Sequence, residues 1–362
     1  MTADADSNYM RRALALAERG WGQVAPNPLV GAVLVRDGEV VGEGHHAGYG
    51  EPHAEAVALA AAGERARGAT AYVSLEPCAH HGKTPPCADA LIAAGVRRVV
   101  AALRDPNPLA QGGGAKLQSA GIDVTFGVEE DAARELNAPF LTAFTSYRPW
   151  VTLKLALSVD GAIARADRAP LWLTGREARR EVHRLRAGAD AIAVGVGTVL
   201  ADDPALTVRD WEPPRLAPRR VVFDRTARLP LESRLARSAR AIPTTVVTER
   251  PDAERARRLV DAGVDVVVAA DAGAALRALR AEGVRSLLVE GGAELAGSLL
   301  GRCLVDRLII LQAPIVLGAG ALNAFSAVPP ASAGAALRLQ ALERRALGAD
   351  VMTVYSVSYP IQ

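Results

Sequence analysis

Short runs of β-branched residues alternate with alanine- and leucine-rich runs of helical period along most of this 362-residue sequence. Helices that alternate with strands have to pack on the sheet those strands build, so the pattern restricts the chain to layered α/β architecture. The first half reads as a helix over 9–18, strands over 30–36 and 40–44, a helix over 54–63, a strand over 70–75, a helix over 88–94 ending at Gly95, and a strand over 97–103. Asp37-Gly38 between the first two strands predicts a β-hairpin turn. A strand over 123–126 and a helix over 131–137 follow, and Gly112-Gly113-Gly114 reads as a flexible connector.

Thr145-Ser146-Tyr147-Arg148-Pro149 interrupts the pattern just before a new strand over 150–156, which predicts two domains, 1–147 and 148–362. The second half reads as a helix over 176–187, strands over 189–194, 219–223, 244–248 and 264–269, a helix over 274–281, a strand over 286–290, and a helix after Gly291-Gly292. No repeat or heptad stripe competes with this reading. A hydrophobic fraction of 50% suits two folded cores, whereas a net charge of +2 and 4% aromatics give no footprint for nucleic acid. No basic leader or long apolar run marks a secreted or membrane chain, so the expectation is a cytoplasmic protein without a nucleic-acid or membrane partner, with assembly into a homo-oligomer left open.

Two of the three cysteines, Cys78 and Cys87, share a short stretch with His80 and His81, and Gly50-Glu51-Pro52-His53-Ala54-Glu55 opens a helix upstream. The third, Cys303, reads as an inert thiol. Zinc takes imidazole nitrogen and thiolate sulfur in a tetrahedron, and three protein ligands leave one position for a water whose pKa falls to about 7. His53, Cys78 and Cys87 supply that number, and Glu55 is the carboxylate that would move protons between water and a leaving amine. Residues two apart do not face each other on a regular helix, so His53 must sit in the entry turn. Cys87 precedes a helix, and the helix N-terminus is expected to favour its thiolate. Two other readings stay open at this level: a redox pair of cysteines, and a closed structural zinc site with His80 or His81 as fourth ligand.

His-x-Glu followed by Pro-Cys and a second Cys resembles the nucleoside and nucleobase deaminase superfamily. There two residues usually separate the cysteines, while here the eight residues 79–86 intervene, reading Ala-His-His-Gly-Lys-Thr-Pro-Pro. That loop resembles the bifunctional deaminase/reductases of riboflavin biosynthesis. The resemblance extends through Pro26-Asn27-Pro28-Leu29-Val30-Gly31, Asp105-Pro106-Asn107-Pro108, the run from Leu153 through Lys154 to Asp160-Gly161, the run from Thr198 through Asp202-Asp203-Pro204 to Arg209, and Val289-Glu290-Gly291-Gly292.

The resemblance implies a cytidine-deaminase-like α/β/α layer domain followed by a dihydrofolate-reductase-like α/β domain. It implies zinc-dependent hydrolytic deamination of a pyrimidinone ribosylamino phosphate, then NADPH-dependent reduction of the ribosyl group to ribityl. One zinc per chain would be held by His53, Cys78 and Cys87, with Glu55 catalytic. Carried over position by position, Leu157, Trp172, Thr198, Asp202 and the turn Gly292, Ala293, Glu294, Leu295, Ala296, Gly297 and Ser298 fall to the cofactor. Asn27, Lys154, Arg186, Leu206, Arg209 and Glu290 fall to the substrate.

A glycine pair between strand and helix lets backbone N–H groups approach an anion, and an arginine fork suits phosphate. No Gly-x-Gly-x-x-Gly follows the first strand of the second domain, which disfavours a Rossmann fold. Lys154, mid-strand among leucines, needs a partner or a cleft, and the cleft is expected. Asp160-Gly161 reads equally as a plain hairpin turn and as a cofactor contact. His46, His80, His81 and Lys83 are left without assigned roles. Where the family commonly has Gly-x-Ser-x-Trp, this chain reads Arg168-Ala169-Pro170-Leu171-Trp172, without the serine. The competing functions are a nucleoside or nucleobase deaminase with an inactive second domain, and a zinc-stabilised binding module that would not need Glu55.

Overall fold

The computed structural model describes residues 3–80, 85–169, 171–328 and 337–359. The chain divides into two compact units, Met1–Thr145 and Ser146–Gln362.

In the first unit, α1 (Ala3–Ala17) leads to the hairpin of β1 (Gly31–Arg36) and β2 (Glu39–His45). Asp37 and Gly38 both take positive φ at its turn, the backbone that a two-residue hairpin requires. There follow α2 (Ala54–Ala62), β3 (Thr70–Val73), α3 (Cys87–Ala94), β4 (Arg98–Ala101), α4 (Gly113–Ser119), β5 (Asp123–Phe126), α5 (Glu130–Leu136) and α6 (Ala138–Thr142). The sheet order is β2-β1-β3-β4-β5, with β1 antiparallel to both neighbours and β3, β4 and β5 parallel. Alternate residues face opposite sides of a strand. Ala32, Leu34, Ala71 and Val99 therefore pack under α2, α3 and α4, while Val33, Val35, Tyr72 and Val100 pack under α1 and α5. The result is an α/β/α sandwich.

The connector expectation for Gly112-Gly113-Gly114 is corrected. Gly113 and Gly114 form the buried first turn of α4, and only Gly112, at φ 98°, lies outside the helix. Glycine stands there for close packing, since a Cβ on Gly113 would lie 1.7 Å from the Pro77 carbonyl oxygen.

The second unit begins with β6 (Trp150–Leu157), β7 (Ala162–Ala164), α7 (Arg176–Ala187), β8 (Ala191–Gly195) and α8 (Val196–Asp202). It continues through β9 (Arg219–Phe223), α9 (Arg234–Arg237), β10 (Thr244–Thr248), α10 (Ala253–Asp261), β11 (Asp265–Val268), α11 (Ala272–Ala281), β12 (Ser286–Glu290) and α12 (Ala293–Gly301). Beyond the last element expected from sequence come β13 (Arg307–Gln312), β14 (Leu322–Asn323), β15 (Arg338–Leu347) and β16 (Asp350–Ser358). The nine-stranded sheet runs β11-β10-β9-β8-β12-β6-β13-β16-β15, parallel from β11 to β13 and antiparallel at the last two strands.

Along β6 every second side chain is buried: Val151, Leu153, Leu155 and Leu157 join the core under α11 and α12. Lys154 therefore belongs to the opposite face of the sheet. The turn at Asp160-Gly161 does not make a plain hairpin, because β7 pairs with β14 in a separate two-stranded sheet.

Candidate active site

α2 meets β2 closely because β2 carries Gly42 and Gly44; a Cβ on Gly44 would lie 2.3 Å from the Ala54 carbonyl oxygen. This contact sets the start of α2. His53 is its N-cap residue, with extended backbone at φ −70° and ψ 159°, and Glu55 lies in the first turn. His53 thus leaves the helical path, as the two-residue spacing requires. On the facing side Cys87 is the first residue of α3, and the Cys78 carbonyl accepts a hydrogen bond from the Ala88 N–H.

The ligand-type atoms of His53, Cys78 and Cys87 all lie within 4.8 Å of one another. His53 Nδ1 is 3.2 Å from Cys87 Sγ and 3.6 Å from Cys78 Sγ, against about 3.6 Å for nitrogen and sulfur on one tetrahedral zinc. The Cys87 N–H donates to Cys78 Sγ at 3.4 Å. Cys87 opens the helix as expected, and its own N–H is donated to the sulfur of Cys78. Cys78 is drawn down to about 4, first by the hydrogen bond from the Cys87 thiol and then, against burial, by His53 and the Cys87 N–H. Cys87 is pushed up by its bond to Cys78 and by burial. His53 is raised, chiefly by its bond to Cys78. Two sulfurs and an imidazole nitrogen so close together can all act as bases only around a cation, and this donor set suits zinc.

Glu55 is buried, and burial pushes its carboxyl up to about 7; its carboxyl also bonds the Cys87 thiol. Among the described residues, His80 is not part of the three-residue group. His81 and Lys83 lie outside the described residues. His46 is buried and donates from Nδ1 to the Pro52 carbonyl at 3.2 Å, so its Nε2 accepts from Asn27 Nδ2 at 3.1 Å. Burial lowers the pKa of His46, which keeps that neutral tautomer. Asn27 is thereby oriented from the rim of the metal group, since the rings of His46 and His53 meet edge-on at 5.5 Å.

In the second unit, Lys154 and Glu290 are register partners on β6 and β12. Lys154 Nζ lies 3.2 Å from Glu290 Oε2, so the lysine has a carboxylate partner. Arg186 on α7 grips the same carboxylate through Nε at 2.5 Å and Nη2 at 3.0 Å, and donates from Nη1 to the Thr207 carbonyl. Its fork is spent on Glu290, so the phosphate-binding reason given for Arg186 does not hold. Arg209 is exposed, and its N–H donates to His183 Nδ1.

α8 and α12 start at the ends of the neighbouring parallel strands β8 and β12, with Gly195 and Gly292 as N-caps and no side-chain cap on either helix. A Cβ on Gly292 would lie 3.7 Å from Thr198 Oγ1, so the two turns adjoin. Two uncapped helix starts at the carboxyl edge of a parallel sheet fit the phosphates of a dinucleotide. Ala293 and Glu294 belong to the opening turn of α12, with Ser298 exposed further along. Leu157, Leu295 and Ala296 have their side chains in the core under α12, Leu206 is buried in the core on the other face, and Gly297 packs on the backbone of Ala327. Any cofactor or substrate contact from Leu157, Ala296 or Leu206 would have to come from backbone. Asp202 is exposed at the end of α8, and Trp172 is 79% exposed, with the Arg179 guanidinium 5.2 Å from its ring.

The Asp160 carboxylate accepts from Ser158 Oγ at 2.6 Å and from the N–H groups of Leu317 and Gly318 at 3.1 and 2.8 Å. It ties the turn after β6 to the loop after β13. Beside that tie is a cleft of about 430 Å³ lined by Arg165, Ala166, Asp167, Leu171, Val316 and Leu317; Lys154, Arg186 and Glu290 are not in its lining. Ala169 donates its N–H to Asp167, and Pro170 lies outside the described residues. Sequence reasoning missed Glu76, whose buried carboxylate accepts from the backbone N–H groups of Asp105 and Gly114.

Residues 3–103 match the family described as the cytidine and deoxycytidylate deaminase zinc-binding region, and residues 149–353 match the RibD C-terminal domain. The riboflavin biosynthesis protein RibD of Escherichia coli is 46% identical over 340 residues, covering 87% of this chain and 89% of that protein. Its Aquifex aeolicus counterpart is 44% identical over 323 residues, covering 88% and 90%. Among solved structures, Acinetobacter baumannii RibD superposes with a TM-score of 0.84 at 39% identity, covering 99% of this chain and all of that one. A Thermotoga maritima protein described as a diaminohydroxyphosphoribosylaminopyrimidine deaminase/5-amino-6-(5-phosphoribosylamino)uracil reductase superposes at 0.83 with 33% identity, covering 98% and 99%.

A cytidine-deaminase-like unit with a His/Cys/Cys group, followed by a reductase unit built on a largely parallel sheet, defines a bifunctional deaminase/reductase. The chain belongs to the RibD family, whose enzymes serve riboflavin biosynthesis. The reductase domain is of a kind consistent with a nicotinamide cofactor. No helix among the described residues is long and apolar enough to cross a membrane.

Proposed function

We propose that residues 1–147 deaminate a diaminopyrimidinone ribosylamino phosphate with one zinc ion, and that residues 148–362 then reduce the ribosyl group of the product to ribityl with NADPH. The observation that carries this reading is the convergence of His53 Nδ1, Cys78 Sγ and Cys87 Sγ, with the buried Glu55 carboxyl against them. The likeness to the Thermotoga protein supports the choice of substrate. Both small-molecule steps belong in the cytoplasm.

Zinc, when bound, supplies a Lewis acid that makes water a nucleophile near neutral pH. The Glu55 carboxylate takes a proton from that water and returns it to the departing amino nitrogen, so that a C–O bond replaces the C–N bond and ammonia leaves. Burial raises the proton affinity of the Glu55 carboxyl, which suits a group that must take a proton and give it back. Asn27, oriented by His46, binds the pyrimidine edge.

In the reductase unit, Thr198, Asp202, Trp172 and the opening turn of α12 hold the dinucleotide. Lys154 is presented to the substrate by Glu290, Arg186 keeps Glu290 in place, and Arg209 takes the phosphate.

The test uses zinc-loaded full-length protein with the substrate and NADPH, following ammonia release and NADPH absorbance, with Glu55→Gln as control. Both signals are expected from the wild type. The variant should lose ammonia release about 10²–10⁴-fold yet still reduce the deaminated product. Ammonia without NADPH oxidation would confine the activity to the first unit, and no ammonia would overturn the reading.

A further inference from the structure

Cys78 sits on a loop and is held from one side by the N–H groups of Cys87 and Ala88. The segment 105–114 brackets that loop on both sides of the cysteine. Before it, the buried Glu76 carboxylate accepts from the Asp105 N–H at 3.1 Å and the Gly114 N–H at 2.9 Å. After it, the Ala79 N–H donates to the Ala110 carbonyl at 3.1 Å, and Ala110 packs with Cys78 and Cys87. Between these ties Gly113 presses on the Pro77 carbonyl, where a Cβ would fall 1.7 Å from the oxygen and 2.8 Å from its carbon. A Cβ on Gly114 would fall 3.2 Å from Glu76 Oε1 and 2.7 Å from the Phe126 ring.

We propose that segment 105–114 is a cradle that presets Cys78 for the metal, with Glu76 and Gly113 as its positioning residues. This rests on the reading of His53, Cys78 and Cys87 as the zinc ligands. Metal–ligand distances tolerate only about 0.2 Å. An alanine at 113 would have to retreat from the Pro77 oxygen until its Cβ contact exceeds 3.0 Å, and Cys78 is the next residue along the displaced backbone. Replacing Glu76 with alanine would strip two buried N–H groups of their acceptor. Glutamine keeps the size and one acceptor oxygen, but sets its amide N–H₂ against the other donor.

The experiment compares the zinc-loaded full chain with Gly113→Ala, Glu76→Gln and Glu76→Ala. It reads zinc affinity by titration with a competing chelator and ligand geometry from the visible bands of the cobalt-substituted protein, with the thermal melt of the first unit as the folding control and reduction of the deaminated product as the check on the second unit. The expected result is about 10–100-fold weaker zinc binding in Gly113→Ala and Glu76→Ala, with Glu76→Gln between them and the wild type. Cobalt bands should shift, reduction should be unchanged, and excess zinc should restore deamination. Wild-type affinity and cobalt bands in variants whose first unit is folded would overturn the cradle while leaving the ligand assignment standing. If Gly113→Ala fails to fold, the size-preserving Glu76→Gln decides by the same two readouts. A wild type that holds no zinc would overturn the ligand assignment and the cradle with it.

Discussion

A carboxylate at the end of a central strand is tolerable only where cations meet it, and Glu290 is met by Lys154 and Arg186. Burial opposes its ionisation, but the two cations outweigh it and hold the carboxyl down at about 2. Between its ordinary value near 4.5 and about 2, the unfolded chain binds a proton that the folded one refuses. The pair's stability is therefore fully present above pH 4.5 and is lost as pH falls through about 2, a term on the order of 3 kcal/mol. Glu290→Gln should flatten that acid limb in melts of the second unit. It should also lower stability near neutrality by about 3–5 kcal/mol, because two part-buried cations lose their anion; denaturant titration would measure this. From sequence, Lys154 was legible as a charge in need of company. Its partner was not, because β12 comes beside β6 only through the sheet. Glu55 and His53 were legible because two neighbouring residues carry the signal. Glu76 was not, because its partners are backbone N–H groups, which no residue type announces.

At the scale of elements, the glycines of β2 decide where α2 sits. Gly44→Ala would press a methyl group on the Ala54 carbonyl oxygen, 2.3 Å from the ideal Cβ, and push away the turn that carries His53 and Glu55. The expected outcome is a first unit destabilised by about 1–3 kcal/mol and slower ammonia release, with reduction by the second unit unaltered; calorimetry beside the two assays checks it. In the second unit, Asp160→Ala frees the N–H groups of Leu317 and Gly318 and loosens the wall of the neighbouring cleft. Leu171 in that lining precedes Trp172, which is proposed to meet the dinucleotide, so the variant should raise the KM for the nicotinamide cofactor more than it lowers kcat, with deamination unchanged. The buried strands β9, β10 and β12 were readable as β-branched or aliphatic runs between turn signals. β15 was not, since Arg338–Leu347 is rich in Ala, Leu, Glu and Arg, which favour helix, and is exposed along most of its length. Pairing with β16 overrides that preference. The opening of α4 was misread for the opposite reason, because glycines that signal freedom in a loop here permit contact with Pro77.

At the scale of the whole molecule, the two activities make different demands on metal. Prolonged dialysis against a strong zinc chelator should abolish ammonia release and leave NADPH-dependent reduction of the deaminated product intact, and adding zinc back should restore the first activity alone. Parallel loss of both activities would count against the division of labour. The start of β6 at Trp150 was legible because a turn-rich stretch ends at Pro149; the order of strands was not, because pattern does not say which strands become neighbours. That order matters while the protein is being made. A ribosome has released every strand of the first sheet once residue 126 is out, so that sheet can be completed early. β6 and β8 acquire their shared neighbour only when residues 286–290 emerge. Until then the nascent reductase sheet carries unpaired strand edges in its middle, which invite wrong pairings. A polypeptide released early, between residues 158 and 285, would carry a finished metal unit and an unfinished, adhesive second half.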